Sequence, residues 1–342
     1  MLIGLLTGGG DSPAINGAIR AIVRRAHAGE HQVFAFQLGW RGVLENLGSV
    51  LTAEDVSGIL PRGGTMLGTS RTNPLRIDGG LDAVRRTLSE REVDALICIG
   101  GDDTNGVAHR LCQERIVRCI GVPQTIDNDI PGTEFSIGYD SALNVVVEAL
   151  DRLHTTATSH HRVMICEIMG RDAGWLALLG GLAGGADEVL IPERAFRMDE
   201  VCSRLQERRS RGKSFTILAV AEGAKPEMLD RPVTQDESVD AFGHVRLGGI
   251  GHVLAREIEE RTGFETRTTV LGHLQRGGVP SAFDRVLATM FGVRAVELLE
   301  QGSTDLMVVW QASEIRAVPF AEALGGTRVC PDSFVQLSEL FR

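Results

Sequence analysis

Lysine is nearly missing from this 342-residue chain: Lys213 and Lys225 are its only two. Every other basic residue that is charged at neutral pH is arginine, the better planar fork for phosphate oxygens. The net charge of −10 argues against nucleic acid or an anionic membrane as the main partner. An anionic ligand must therefore be met by a local cluster of arginines. The six cysteines (Cys98, Cys112, Cys119, Cys166, Cys202, Cys330) include no C-x-x-C pair and no zinc-like spacing. Cys98 and Cys166 lie in apolar runs and read as small buried hydrophobes, so reduced thiols are expected. No apolar run approaches the length of a membrane span. The first residues, Met-Leu-Ile-Gly-Leu-Leu-Thr, show neither a basic leader nor a cleavage site, and a cytoplasmic location is the expectation. There is no internal repeat, no low-complexity tract and no strand–G-x-G-x-x-G–helix unit, which argues against a dinucleotide-dependent oxidoreductase. A Walker loop is absent too. Gly212-Lys213-Ser214 ends in the right residues, but Glu207 stands where the first glycine belongs and an apolar strand follows.

What the chain does have is alternation. The spacing predicts strands over Leu2–Thr7, Gln32–Gln37, Ala95–Ile99, Arg118–Val122, Val163–Ile168, Glu188–Ile191, Phe215–Ala221, Thr268–Leu271 and Leu306–Trp310. It predicts helices over Ile15–Ala28, Leu81–Leu88, Asn105–Gln113, Tyr139–Ser159, Trp175–Gly184, Met198–Arg211, Gly249–Arg261 and Ser281–Glu300. Such alternation implies an α/β fold of two doubly wound lobes, with mostly parallel sheets covered on both faces. Ligands of such folds sit beyond the carboxyl ends of the strands. The polar segment Ala224–Gly243 reads as a long exposed excursion or hairpin of low functional content.

The segments that carry chemistry fall at those strand ends. Gly8-Gly9-Gly10-Asp11-Ser12-Pro13 runs from the first strand into a helix, where glycine amides and the helix N-terminus favour an anion. A tight strand-to-helix turn would use the same residues. Gly100-Gly101-Asp102-Asp103-Thr104-Asn105-Gly106 repeats the shape with two adjacent acids. Beside a phosphate loop an aspartate is a natural Mg2+ ligand, although an N-cap pair is the plainer role. A third small-residue loop, from Gly63 to Arg71, ends in an arginine placed to reach a phosphate. Pro123-Gln124-Thr125-Ile126-Asp127-Asn128-Asp129 sets two carboxylates one residue apart beside a hydroxyl. On an extended segment Asp127 and Asp129 point the same way, so one accepts a proton from an alcohol while the other orients it or a metal. A surface turn is the alternative.

With these residues together, the chain resembles the phosphofructokinase family over nearly its whole length. It is most similar to the mixed-substrate class, group III, whose members use ATP or inorganic pyrophosphate. The pattern is matched in order by Leu6-Thr7-Gly8-Gly9-Gly10-Asp11, Gly100-Gly101-Asp102, Thr125-Ile126-Asp127-Asn128-Asp129, Ser159-His160-His161-Arg162, Met169-Gly170-Arg171, Ala221-Glu222-Gly223 and Leu271-Gly272-His273-Leu274-Gln275-Arg276-Gly277-Gly278. The resemblance implies a donor-binding lobe of residues 1–138 plus about 275–325, and a sugar-phosphate lobe of residues 139–274 plus about 326–342. It implies that Asp127 is the general base toward the 1-hydroxyl of fructose 6-phosphate, with Thr125, Ile126 and Asp129 at the same end of the sugar. Arg171 and Gln124 join the catalytic set. Gly10, Arg71, Asp103 and Thr104 face the donor, and Asp102 ligates Mg2+. Met169, Gly170, Arg171 and Glu222 line the sugar site. Arg267, His273, Leu274, Gln275 and Arg276 hold its far end. Arg162 and Arg267 reach the 6-phosphate from a neighbouring subunit, so a homo-oligomer, dimer or tetramer, is expected.

Two positions bear on the donor. Most ATP-using relatives have glycine where this chain has Asp103, and a carboxylate there would repel a nucleotide's α-phosphate. Pyrophosphate-using relatives usually carry lysine where this chain has Gln124, which donates a hydrogen bond but brings no cation. The expected activity is Mg2+-dependent, reversible, pyrophosphate-driven phosphorylation of fructose 6-phosphate. ATP-dependent turnover and a non-catalytic sugar-phosphate-binding paralogue are the alternatives.

Overall fold

The computed structural model describes residues 1–227, 233–239 and 245–340. In chain order the strands are β1 (Leu2–Thr7), β2 (Gln32–Phe36), β3 (Gly48–Leu51), β4 (Ala95–Gly100), β5 (Arg118–Pro123), β6 (Val163–Ile168), β7 (Glu188–Leu190), β8 (Thr216–Ala221), β9 (Thr234–Val239), β10 (Val245–Leu247), β11 (Thr266–Val270), β12 (Leu306–Gln311) and β13 (Glu314–Pro319). The helices are α1 (Ile15–Ala28), α2 (Trp40–Leu44), α3 (Gly80–Glu90), α4 (Asp102–Gln113), α5 (Tyr139–His160), α6 (Trp175–Ala183), α7 (Met198–Ser210), α8 (Ile250–Thr262), α9 (Ala282–Glu300), α10 (Phe320–Ala323) and α11 (Asp332–Glu339).

The apolar runs of β1, β4 and β5 need cover on both faces, and they become the inner strands of a seven-stranded sheet ordered β13-β12-β5-β4-β1-β2-β3. Ile3, Leu5, Ile97 and Ile99 point to one face, where α1 and α9 close a core around Ile19, Ile22 and Phe291. Leu6, Leu96 and Cys98 point to the other, against Val84 of α3, Leu111 of α4 and Phe320 of α10. The inner strands run parallel; β3 and β13 lie antiparallel at the two edges. A second, all-parallel sheet, β11-β6-β8-β7, organises the other lobe around a core that includes Ile165, Leu218, Trp175 and Leu254.

The lobes are tied by Asp284 on the first turn of α9. Its carboxylate accepts from the Gly138 and Ser141 amides at 3.1 and 2.8 Å and from the Ser141 hydroxyl at 2.6 Å, at the start of α5. That bond set satisfies amides which the start of a helix leaves without intrahelical partners.

Every strand and helix expected from the spacing is present, with ends that differ by at most three residues. The additions are the edge strands β3 and β13, the short helices α2, α10 and α11, and the antiparallel pair β9–β10. Part of the expected Ala224–Gly243 excursion, residues 228–232 and 240–243, lies outside the described residues; β9 falls within it. Among the described residues no helix is long and apolar enough to cross a membrane, and all six cysteines are free.

Candidate active site

The chain order reverses between β1 and β4, the neighbours from which the large sheet grows outward in opposite directions. A crevice at such a switch point is where an open α/β sheet binds its ligand. Register brings the loops together there: Thr7 pairs with Ile99 and Gly100 with Pro123. The Gly8 amide closes on the Ile99 carbonyl at 3.0 Å, and the Gln124 amide on Gly100 at 3.0 Å. Three motifs spread over 120 residues thus become one continuous rim.

The rim is braced from inside. Thr104 is buried against Gly8 and Gly100, and a Cβ added at Gly8 would stand 2.6 Å from its Oγ1. Gln124, buried, donates from Nε2 to the Gly10 carbonyl at 3.1 Å. Arg276, on the turn that follows β11, donates from Nη1 to the Asp11 carbonyl at 3.0 Å. A Cβ at Gly10 would stand 2.5 Å from that guanidinium, so a larger residue there would displace the tip of Arg276 from its bond to Asp11. Asp102 and Asp103 are the first two helical residues of α4, with Gly101 as the cap, so they are not an N-cap pair. Their negative charge lies at the favourable end of the helix dipole.

Two cavities meet at this rim. The smaller, about 170 Å³, is walled by Gly9, Gly10, Asp102, Asp103, Thr104 and Gln124, with Thr125 and Asp129. The larger, about 520 Å³, opens into the second lobe between Met169, Glu222, His273, Glu167 and Val270. Four residues line both: Arg71, Asp127, Arg171 and Arg276. Asp127 therefore stands at the junction, and its Oδ1 is buried with no hydrogen-bond partner. An acceptor so placed is poised to receive a proton from a hydroxyl in either chamber.

The local backbone is bent rather than extended, which corrects the expectation for Asp127 and Asp129. Asn128 between them is left-handed (φ 53°), its side chain bonded to the Glu134 carbonyl and the Ser136 amide. The Asp127 amide turns back onto Thr125 Oγ1 at 3.1 Å. Arg171, also left-handed (φ 41°), is a second bulky residue held in a conformation that such side chains rarely adopt.

Burial drives the titration of this cluster. It pushes the Asp127 carboxyl up against the opposing pull of Arg276 and Arg171, and Asp102 and Asp172 add to the rise. Asp129 is pushed to about 7 by burial and then by Asp127 and Asp102. Glu222 also reaches about 7, from burial and the nearby Asp127, while the Arg171 amide bonded to its Oε1 at 3.3 Å holds it down.

Not every expected residue enters the cleft. Ile126 is fully buried in the second lobe's core, so its side chain contacts no ligand. Gln275 is buried and bonds the Met169 amide and the Gly272 carbonyl, which makes it a support for the wall. Leu274 is 71% exposed and lines neither cavity. Gly170 closes a tight turn (φ 139°) against the Ala173 backbone without lining either cavity. Arg276 lies at the junction of the chambers, not at the far end. Arg162 and Arg267 sit outside the cleft, paired to Glu265 at 2.7 and 2.5 Å. Conversely, Asp172, Thr327, Glu167 and Leu247 line the cavities without being singled out by motif. Leu247 lies at the end of β10, beyond the polar excursion in the chain. The carboxylate of Glu167 is occupied by the Gly249 and Gly251 amides at the start of α8.

A two-lobed α/β fold with an acid between a glycine-rimmed chamber and a larger polar one defines the class: a transferase that works across a cleft. The chain belongs to the phosphofructokinase family, which matches residues 2–299. It is 52% identical over 324 residues to the pyrophosphate–fructose 6-phosphate 1-phosphotransferase of Streptomyces coelicolor, covering 94% of each chain. It is also 48% identical over 335 residues to the ATP-dependent 6-phosphofructokinase of Mycobacterium leprae, covering 97% of each. Among solved structures, phosphofructokinase from Saccharomyces cerevisiae superposes with a TM-score of 0.83 at 34% identity; the match covers 95% of this chain and 45% of the yeast chain. The pyrophosphate-dependent phosphofructokinase of Marinobacter aquaeolei, at 24% identity and a TM-score of 0.82, covering 97% of this chain and 86% of that one, shares the fold.

Proposed function

We propose that this chain moves a phosphoryl group from pyrophosphate to the 1-hydroxyl of fructose 6-phosphate, reversibly and with Mg2+. The observation that carries the reading is Asp127 at the meeting point of the two chambers, with an acceptor oxygen that nothing in the protein occupies. The first lobe holds the donor against Gly10 and beside Arg71. The second holds the sugar between Met169, Arg171, Glu222 and His273. Asp127, whose ionised form Arg276 and Arg171 favour against the effect of burial, takes the hydroxyl proton as the new P–O bond forms, while Thr125 and Asp129 keep the acceptor end in place. Such transfer needs position and charge neutralisation more than covalent participation.

The residues fit a divalent cation. Asp102 is exposed at the chamber wall, and no cluster of three or more candidate ligands occurs among the described residues. That is what Mg2+ tolerates, since it takes one or two carboxylates and completes its shell from phosphate and water. Bound there through Asp102, the cation would neutralise charge on the diphosphate.

Pyrophosphate is favoured over ATP on two counts. Asp103 contributes a carboxylate to the wall where a nucleotide would continue, and the 170 Å³ chamber is below the range of roughly 300 Å³ and up that suits larger organic ligands. Among the described residues, the arginines that line the larger chamber are the three at the junction, Arg71, Arg171 and Arg276. Arg162 and Arg267 therefore serve a neighbouring copy's site, and the chain acts as a homo-oligomer. The test is a parallel assay of purified protein with Mg2+, fructose 6-phosphate and each donor. Turnover with pyrophosphate is expected, and Asp127→Asn should lower it by about 10²–10⁴-fold or more. Strong turnover with ATP alone reverses the donor assignment, and binding of the sugar phosphate without turnover from either donor removes the catalytic one.

A further inference from the structure

The segment Thr327–Cys330 comes from beyond residue 299, where the family match ends, yet it lies directly under the Asp127–Asp129 bend. Arg328 makes three contacts there. Its backbone amide donates to the Asp129 carbonyl at 2.7 Å, and its Nη1 donates to the Asn128 carbonyl at 2.9 Å. Its guanidinium stacks 4.0 Å from the ring centroid of Trp175, whose Nε1 donates back to the Arg328 carbonyl at 2.9 Å. Trp175 is the first residue of α6 and belongs to the core of the second lobe. One side chain therefore bolts a loop of the first lobe to a helix of the second.

The loop needs such a fixture. Asn128 is left-handed and is held on its other flank by the Glu134 carbonyl and the Ser136 amide. Asparagine tolerates that conformation better than other non-glycine residues, and its side-chain bonds fix one flank of the bend only. Releasing the Asn128 carbonyl lets the 128–129 peptide rotate, which turns Asp129 directly and reaches Asp127 through the Asn128 backbone that joins them. We propose that Arg328 is a positioning residue: it fixes the Asn128–Asp129 peptide against Trp175 and thereby holds Asp127 in line between donor and acceptor. This rests on the phosphoryl-transfer reading for its consequence, but not for its mechanics.

The test uses the full chain with Arg328→Met, which keeps much of the packing and removes the donors, and with Arg328→Lys. Arg328→Met should lower kcat about tenfold or more with both KM values within about threefold, because displacement of the base by a fraction of an ångström acts on the transition state. Arg328→Lys, which keeps one donor within reach of the carbonyl, should recover a substantial part of the loss. Independently of activity, amide hydrogen exchange over residues 124–130 should speed up in Arg328→Met while β4 and β5 stay protected. The proposal is overturned by kcat within about twofold of the unsubstituted chain, by KM rising with kcat unchanged, or by a loss that merely tracks a lowered melting temperature. Unchanged exchange over 124–130 overturns it too. If the unsubstituted protein shows no phosphoryl transfer, the functional reading fails, and the exchange experiment still decides the strap.

Discussion

Glu222→Gln should stabilise the ligand-free protein at neutral and alkaline pH while weakening its activity. The carboxyl is carried from 4.5 to about 7, first by burial and then by the charge on Asp127. At about 1.4 kcal/mol per unit, a rise of roughly 2.5 units corresponds to about 3 kcal/mol. Because the folded value lies above the unfolded one, the fold favours the protonated acid. That contribution is complete below about pH 4.5 and is lost as pH rises through about 7. Glutamine mimics the protonated form and keeps an acceptor for the Arg171 amide. The difference between variant and parent should therefore be near zero at acid pH, grow between about 4.5 and 7, and level off above. Melting curves of both proteins across that range, without sugar phosphate, donor or metal, measure it. The expected gain at pH 8 is a melting temperature several degrees higher. A difference that is flat with pH, or that favours the parent at pH 8, would refute the claim that burial and Asp127 raise this acid. Since Asp127 is the second cause, pairing the change with Asp127→Asn should give less than the sum of the two single gains.

Asp103→Gly should raise turnover with ATP relative to pyrophosphate, as read by kcat/KM for each donor; an unchanged ratio counts against charge repulsion as the selector. Arg162→Ala and Arg267→Ala should each raise KM for fructose 6-phosphate about tenfold while leaving KM for the donor alone. Hetero-oligomers of Arg162→Ala with Asp127→Asn should regain turnover at the low KM for fructose 6-phosphate that Arg162→Ala alone lacks, because one partner supplies the base and the other the arginine. Failure of well-formed hetero-oligomers to recover would place Arg162 outside the site.

How far the sequence could be read depended on whether a feature was local. The strands β1, β4 and β5 were legible because burial on both faces demands unbroken apolar runs, and the loops after them because only glycine tolerates such approaches. The edge strand β13 was not. It returns from β12 through Ala312 and Ser313, both left-handed at φ 50° and 64°, in a two-residue hairpin that usually announces itself with Asn-Gly or Asp-Gly. Its alternating burial also looks nothing like an inner strand. Within the site, Asp127, Glu222 and Arg171 were marked by motif. Asp172, Thr327 and Arg328 were not, since their contacts depend on how the two lobes meet. The bend at Asn128 stayed one of two readings, because an aspartate pair two residues apart suits a turn and an extended segment equally well.

The way arginine is used in and around the cleft explains how a chain of net charge −10 presents itself to anions. On the outside, arginines are spent on acids: Arg204 on Glu188, Arg208 on Asp187, Arg162 on Glu265. At the cleft Arg276 bonds the backbone carbonyl of Asp11 instead, and beneath the Asp127 loop Arg328 bonds that of Asn128. A carbonyl fixes the direction of a guanidinium but does not cancel its charge, so the positive potential stays available to a ligand. The same bonds hold the Gly10 turn and the Asp127 loop in place. Orientation of the backbone and preservation of local charge are thus achieved by one set of contacts. Replacing either arginine by an uncharged side chain costs both at once, and a lysine, with one flexible ammonium in place of the fork, restores them in part.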